Sequence, residues 1–384
     1  MSMTYVAYLI LWFFGFLFLF RIPNCQKGKV KKGDRPRVSV IIPARNEEKT
    51  LPNLLASLRG QIKANDEVIV VDDHSEDKTR AVAEQESAMV IKSKPLPPGW
   101  IGKTWACYQG AKEATGEILV FLDADTVIED NGLSKIIDTY INNDGVLSIQ
   151  PFHKMVKPYE QLSVFFNLVM MAAMGSFTIL GNLIKPIGLF GPVVVLTRQR
   201  YIESGGYEKV KGEILEDLAY GSEFKKQSIR IYCYGGRHTV SFRMYSGGIR
   251  ELLTGWSKGF ATGAAKTSIP MLIMIIAWIT GAIGTARHLV QAAAITDSQQ
   301  ITLWGILYVL YVSQIYWMLF RIGNFKLYTA LLYPIPLLFF VIVFVYSFTI
   351  IFLRRRVKWK GRKIDVKHRG HNVIPSANNN NRND

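Results

Sequence analysis

The run ILVFLDADT, residues 118–126, ends an apolar stretch in two aspartates separated by one small residue. Side chains on a β-strand alternate between its faces, so Asp123 and Asp125 are expected to point one way and Ala124 the other. Two carboxylates aimed at one spot suit a hard divalent cation, which takes oxygen ligands from a few carboxylates and completes its shell with phosphate oxygens. The cation would supply the positive charge that a diphosphate needs beside an acidic pair. Taken alone, the pair also reads as a solvated strand end, and only its placement separates the two readings. Two other apolar runs end in polar residues in the same way. VSVIIPARNEE puts Pro43, Arg45 and Glu47 after its run, and EVIVVDD puts Asp72 and Asp73 after its own.

These residues need a scaffold that gathers strand ends. Across residues 38–150, short β-branched runs alternate with helical segments: VSVIIP, NEEKTLPNLLASL, EVIVVDD, SEDKTRAVAEQ, AMVI, a Pro- and Gly-rich loop, KTWACYQGAKEA and EILVFLDAD. That order implies an α/β fold with a mostly parallel sheet and helices on its faces. Ligands on such sheets bind beyond the carboxyl ends of the strands. Asn46 and Ser75 stand where helix N-caps are expected, each trailed by acidic residues. The first strand is followed by PARNEE and not by GxGxxG, and no GxxxxGK[ST] occurs, which argues against a dinucleotide-binding oxidoreductase and a P-loop enzyme.

The chain has 384 residues, 49% of them hydrophobic, and the apolar ones gather at its two ends. Residues 5–20 are uncharged and are followed by Arg21, Lys27, Lys29, Lys31 and Lys32 with no small-residue cleavage site, so 1–22 reads as a retained membrane anchor. Residues 269–283, 301–320 and 327–353 make 269–353 a second membrane region, the last stretch being long enough to span despite Pro334 and Pro336. Basic segments follow both regions, which places the middle of the chain and the basic tail 354–384 in the cytosol. An even number of crossings between 269 and 353 is then required, so one stretch is interfacial or re-entrant. Residues 301–320, with their Tyr and Trp content and Gln314, are the expected one. The tail ends in SANNNNRND, expected to be disordered. The net charge of +16 marks cytoplasmic flanks and anionic lipid. No nucleic-acid partner is expected, because no nucleic-acid motif accompanies it. Cys25, Cys107 and Cys233 form no CxxC pair and read as reduced thiols.

VSVIIPARNEE, VIVVDDHSEDKT, GEILVFLDADT and ILEDLAYG, in that order and spacing, resemble glycosyltransferase family two, whose members are inverting enzymes with a GT-A fold. GWIGKTWACYQG, VLSIQPFHK, FGPVVVLTRQRYIESGGY, FRMYSGGIRELLTGWSKGFATGAA and VKWKGRK extend the resemblance, toward the membrane-bound carotenoid glycosyltransferases, over nearly the whole chain. It implies a GT-A, Rossmann-like domain at 36–265, between N- and C-terminal transmembrane helices, with that domain on the cytosolic side of a multi-pass plasma-membrane protein. It implies transfer of a sugar, expected to be glucose, from a UDP-sugar to the carboxylate of a carotenoid acid, with magnesium or manganese as cofactor. The membrane and other carotenoid-pathway enzymes are the implied partners. The same chemistry on a hopanoid, polyprenyl phosphate or diacylglycerol is the alternative, and a non-enzymatic membrane transporter or scaffold is the alternative of a different class.

By this resemblance Asp73 bonds the uracil ring, and Pro43, Arg45 and Glu47 line the nucleotide pocket. Asp123 lies near the ribose and sugar, Asp125 lies on the metal, and the two form the metal pair. Lys103, placed before the third helix, meets the diphosphate. Asp217 is the catalytic base, beside Glu216 in the substrate site. Trp256 matches the tryptophan of a QxxRW motif, but its arginine is Gly255 here and its glutamine is Leu252, with Lys258 as the replacement cation. On residue pattern alone, Glu216 and Asp217 are an acidic helix start, and Trp256 is a packing or interface residue. His74 and His153 have no partner at ligand spacing. The segment 161–183 fits a core helix or an interfacial helix dipping into lipid, and its Met and Phe content suits a greasy acceptor.

Overall fold

The computed structural model describes residues 3–28, 35–86, 88–181, 184–213, 215–257, 263, 266–354, 356–359 and 362–365. Among them the strands are β1 (Val38–Ala44), β2 (Glu67–Asp72), β3 (Met89–Lys92), β4 (Ile118–Leu122), β5 (Thr126–Ile128), β6 (Val146–Gln150), β7 (Phe152–His153), β8 (Val193–Thr197), β9 (Ile231–Gly235) and β10 (Val240–Phe242). A seven-stranded sheet runs β3-β2-β1-β4-β8-β6-β9, and β5-β10-β7 form a small second sheet. Four of the six pairings in the large sheet are parallel, with β1 aligned on β2 from Ser39↔Glu67 to Ala44↔Asp72. Only β8 runs against its neighbours β4 and β6. This is the GT-A arrangement.

The central strands are nearly continuous Val, Ile and Leu because they are covered on both faces. On one face Val38, Val40 and Ile42 pack with Leu54 and Leu58 of α2 (Leu51–Leu58) and with Ile136 of α5 (Gly132–Ile141). On the other, Ile41, Val71 and Phe121 pack with Ala106 and Cys107 of α4 (Gly102–Glu113). The expected caps differ from those found: α2 and α3 (Thr79–Gln85) start later, after Thr50 and Lys78. Asn46 and Ser75 instead lace two loops together, Asn46 N donating to Ser75 Oγ at 3.0 Å and Glu76 N to Asn46 Oδ1 at 2.9 Å. Asn46 and His74 both have φ of 55°, the left-handed turn that lets each loop leave its strand end.

A third core joins this domain to the apolar helices. The helix α6 (Val164–Ala173) is a core helix: Val164, Phe165, Phe166 and Leu168 are fully buried against Trp278, Phe340 and Leu319. Two described helices are long and apolar enough to cross a membrane, Ile269–Ala294 and Ser298–Ile322, and they associate the chain with one. The stretch 301–320, expected at the interface, lies within the second of these helices. Gln314, which suggested the interface, is buried and bonded at both ends of its amide: it accepts from Trp278 Nε1 at 2.7 Å and donates to Trp12 O at 3.0 Å. Trp12 lies on α1 (Met3–Phe18), shorter than a spanning helix, and donates to Leu310 O at 3.1 Å.

The stretch 327–353, expected to span, is two helices. It forms a five-residue helix, Leu327–Leu331, and then the helix Pro334–Arg354, whose sequence stays apolar up to Arg354. Pro334 and Pro336 start the second helix because a first-turn proline loses no helical hydrogen bond. Both limbs return to the sheet domain: Thr329 Oγ1 donates to Gln161 at 2.7 Å, and Ser347 Oγ to Ser257 O at 2.7 Å. The bend between them reaches away, with Tyr333 Oη donating to Ala282 O at 2.9 Å. In the expected tail, 356–359 and 362–365 pair as an antiparallel hairpin, and the polar end lies outside the described residues.

Candidate active site

The first aspartate of DAD is already past the strand. β4 ends at Leu122, and Asp123–Thr126 make a turn closed by Thr126 N to Asp123 O at 3.1 Å, with Asp123 N held by Pro192 O at 2.9 Å. Strand alternation therefore does not aim the two carboxylates, yet the turn brings both into one cavity of about 790 Å³. Pro43, Arg45, Glu47, Asp73, Lys103, Glu216, Asp217 and Trp256 line the same cavity. Of the residues singled out from sequence, Lys258 lies outside the described residues.

At the ends of β1 and β2, Asp73 is buried and its backbone N continues the pairing to Ala44 O at 2.8 Å. Arg45 Nη1 donates to Asp73 O at 3.1 Å and stands 3.7 Å from its carboxylate, and His74 Nδ1 is 3.4 Å from the other oxygen. Glu47 accepts from Thr50 Oγ1 at 2.6 Å.

Lys103 sits within the first turn of α4, one residue inside the helix, and carries the charge of this region. Its Nζ is 2.9 Å from Asp123 Oδ1 and 3.3 Å from Glu216 Oε1. Burial pulls its pKa down, but Asp123, Asp217 and Glu216 outweigh it and hold the ammonium well above the usual lysine range. Glu216 and Asp217 occupy the first turn of α8 (Glu216–Lys226), where carboxylates meet the positive helix end. Removal from water, and next the neighbouring Glu216, push the Asp217 pKa well above the ordinary aspartate value of 3.8, against the pull of Lys103. The Asp217 carboxyl lies against the Cα of Gly191, where any Cβ would collide with it, and Asp217 O accepts from Leu189 N at 3.2 Å.

Trp256, on α9 (Ile249–Ser257), is a wall residue: 6% exposed, stacked on Phe166 at 4.8 Å and donating to Ser163 Oγ at 3.1 Å. Where the motif's arginine would stand, Gly255 faces the ring of Tyr245, which leaves no space for a Cβ. Tyr245, Gly191 and Gln150 also line the cavity and were not singled out from sequence. Desolvation and then Asp125 raise the Tyr245 pKa. His153 is buried beside Phe242, and burial lowers its pKa to about 3, so it is a neutral core residue.

Asp123 and Asp125 fit a divalent cation. They are hard oxygen donors in one turn, facing a cavity with room for the oxygens that would complete the shell. Among the described residues no group of three His, Cys, Asp or Glu is placed to hold a metal ion.

The profile of glycosyl transferase family 2 matches residues 39–165. A 4,4'-diaponeurosporenoate glycosyltransferase of Staphylococcus haemolyticus is 35% identical over 88% of this chain and 92% of its own length. One of Staphylococcus aureus is 32% identical over 88% and 91%. Among solved structures, a mannosyltransferase from Pyrobaculum calidifontis in complex with GDP-Man and Mn2+ is 18% identical with a TM-score of 0.49, covering 89% of this chain and 95% of its own. A strand-end acidic site joined to a likeness that runs almost from end to end leads to one assignment: the chain is a glycosyltransferase and belongs to family 2.

Proposed function

We propose that the protein moves a hexosyl group, glucose, from a UDP-sugar to the carboxylate of a carotenoid acid, with inversion, at the cytosolic face of the plasma membrane. The observation that carries this reading is the cavity itself. Its polar end holds Asp73, Lys103, Asp123, Asp125 and Asp217, and its other end runs between apolar helices past Met170, Ile275, Phe340 and Phe344. A single space that is charged at one end and greasy at the other matches a water-soluble donor and an apolar acceptor. The relatives named for a carotenoid acid support the acceptor.

Asp73 and Arg45 close the strand-end pocket in which the base is bound. A magnesium or manganese ion held by Asp123 and Asp125 supplies positive charge to the departing diphosphate when bound. Lys103 adds a fixed ammonium to the same end, and an ammonium with a raised pKa stays charged across the working pH. The acceptor carboxylate attacks the anomeric carbon from the side opposite the diphosphate, in the cavity that Asp217 also lines. The apolar walls keep water from competing for the sugar.

Expression in a bacterium that makes an acidic carotenoid, followed by mass spectrometry of the pigments, tests the proposal. A hexose ester of the acid is expected. An unchanged acid beside a glycosylated lipid of another class overturns the acceptor.

A further inference from the structure

The greasy end of the cavity is lined by two apolar helices. On the Ile269–Ala294 helix the cavity-lining residues Leu272, Ile275, Ile276, Ile279 and Thr280 follow i, i+3, i+4, i+7, i+8 spacing, one stripe along about 12 Å of helix. The stripe has an inner edge and an outer one. Ile275 is 4% exposed and Ile276 is 54% exposed, with Thr280 exposed beside it. The Pro334–Arg354 helix contributes Val341 and Phe344 to the same lining.

That second helix is held at both ends. Its far half is tied to the sheet domain by Ser347, and the bend before it is tied to the neighbouring long helices through Tyr333 and through Tyr308 Oη to Leu331 O at 2.6 Å. The segment is a wedge with both limbs on the sheet-domain side. Its outward neighbours Ile342 and Val345 are 59% and 54% exposed, as residues facing lipid chains would be.

We propose that the gap between Ile276 and Thr280 on one helix and Val341 and Phe344 on the other is a lateral entrance from the lipid layer, which seats the apolar chain of the acceptor with its polar head toward Asp217. The occupant follows from continuity, since the space that begins at this gap is the one that Lys103, Asp123 and Asp217 line. This inference rests on the reading of the acceptor as an apolar chain with a polar head, and it adds where that chain lies and how it arrives.

The test uses the full chain in lipid nanodiscs with two polyene acids, retinoic acid (long) and sorbic acid (short), and with a long-chain alcohol. Ile276→Trp and Val341→Trp narrow the gap from opposite sides. Ile283→Trp places the same bulk on the lipid-facing side of the same helix, where Ile283 is 45% exposed and lines no part of the cavity. Overpacking a fitted apolar site is expected to raise KM for retinoic acid about ten-fold or more while kcat stays near its original value. The KM for sorbic acid, which does not reach the gap, is expected to hold. Ile283→Trp is expected to behave as the unmodified protein. Unchanged KM for retinoic acid in both gap variants, or an equal rise for sorbic acid, overturns the entrance. Transfer to the alcohol but to neither acid, with the same gap-specific KM rise, supports the entrance and overturns the carboxylate acceptor instead. A diazirine-bearing hydrocarbon that labels peptides of the Ile269–Ala294 and Pro334–Arg354 helices, with labelling displaced by retinoic acid, supports the placement. Labelling confined to other helices overturns it.

Discussion

Replacing Asp217 with asparagine keeps the shape of the side chain and removes its charge, and this separates two kinds of acceptor. A general base is worth about 10²- to 10⁴-fold when it takes a proton from a hydroxyl. A carboxylic acid, with a pKa of about 4, is almost wholly ionised at neutral pH and has no proton to give up. Asp217 itself is held above the ordinary aspartate range by desolvation and by Glu216, which weakens its anionic form further. On a carotenoid acid, Asp217→Asn is therefore expected to keep kcat/KM within about ten-fold of the unmodified enzyme, while Asp125→Ala falls by about 10² or more. On an alcohol acceptor the two variants are expected to fall together. The pH dependence follows in sign. As pH rises through its raised pKa, Asp217 gains a charge that repels an anionic acceptor, so KM for the acid should climb in the unmodified enzyme and stay level in Asp217→Asn. Stability moves in the same window. A carboxyl whose folded pKa is raised loses stabilisation as pH increases from its unfolded value of 3.8. Asp217→Asn should then melt higher than the unmodified protein near pH 7, with the difference closing toward pH 4. Initial rates on both acceptor types with folded fractions checked, and melting curves at both pH values, read these outcomes. An Asp217→Asn enzyme as inactive as Asp125→Ala on a proven carboxylate acceptor refutes the reasoning.

Gly191→Ala is expected to lower kcat/KM more than Asp217→Asn does, by about 10², because its Cβ forces away the head of α8 and with it the Glu216 partner of Lys103. Adding Asp217→Ala to Gly191→Ala should restore much of that loss by opening space, and a double variant no better than Gly191→Ala alone would count against the collision. Excess chelator is expected to abolish transfer, with activity returning on addition of magnesium or manganese; full turnover in chelator would remove the metal from Asp123 and Asp125. A reporter fused after Asp384 should be active only in the cytosol, and activity only outside the cell would reverse the proposed topology.

Much of the sheet domain was legible because its signals are local. The β-branched runs, the polar residues after each strand and the order of elements place Arg45, Asp73 and Asp123 at one edge without any knowledge of distant contacts. What was not legible depends on partners far along the chain. β8 enters antiparallel between β4 and β6, and nothing within Val193–Thr197 states its direction. Gly191 and Tyr245 matter through Asp217 and Gly255, contacts that no local pattern records. Gln314 shows a related limit: a polar residue in an apolar helix is ambiguous until its partners, Trp278 and Trp12, are known. The prolines of 334 and 336 were correctly seen as tolerable in a helix, but whether they interrupt or begin one was decided by Tyr333 and the contacts of the bend.

Lys103 has one further implication. A single ammonium serves as counter-ion both to the Asp123 turn and to the head of the helix that carries Asp217. A diphosphate oxygen that draws on this ammonium does so at the expense of Asp123 or Glu216, and the field at Asp217 changes in consequence. The two halves of the site are thus coupled through a shared charge with no moving segment between them. Linkage makes the coupling reciprocal: whatever factor the donor imposes on acceptor affinity, the acceptor imposes on the donor. Binding of either substrate is therefore expected to change the affinity for the other by one factor, whichever arrives first.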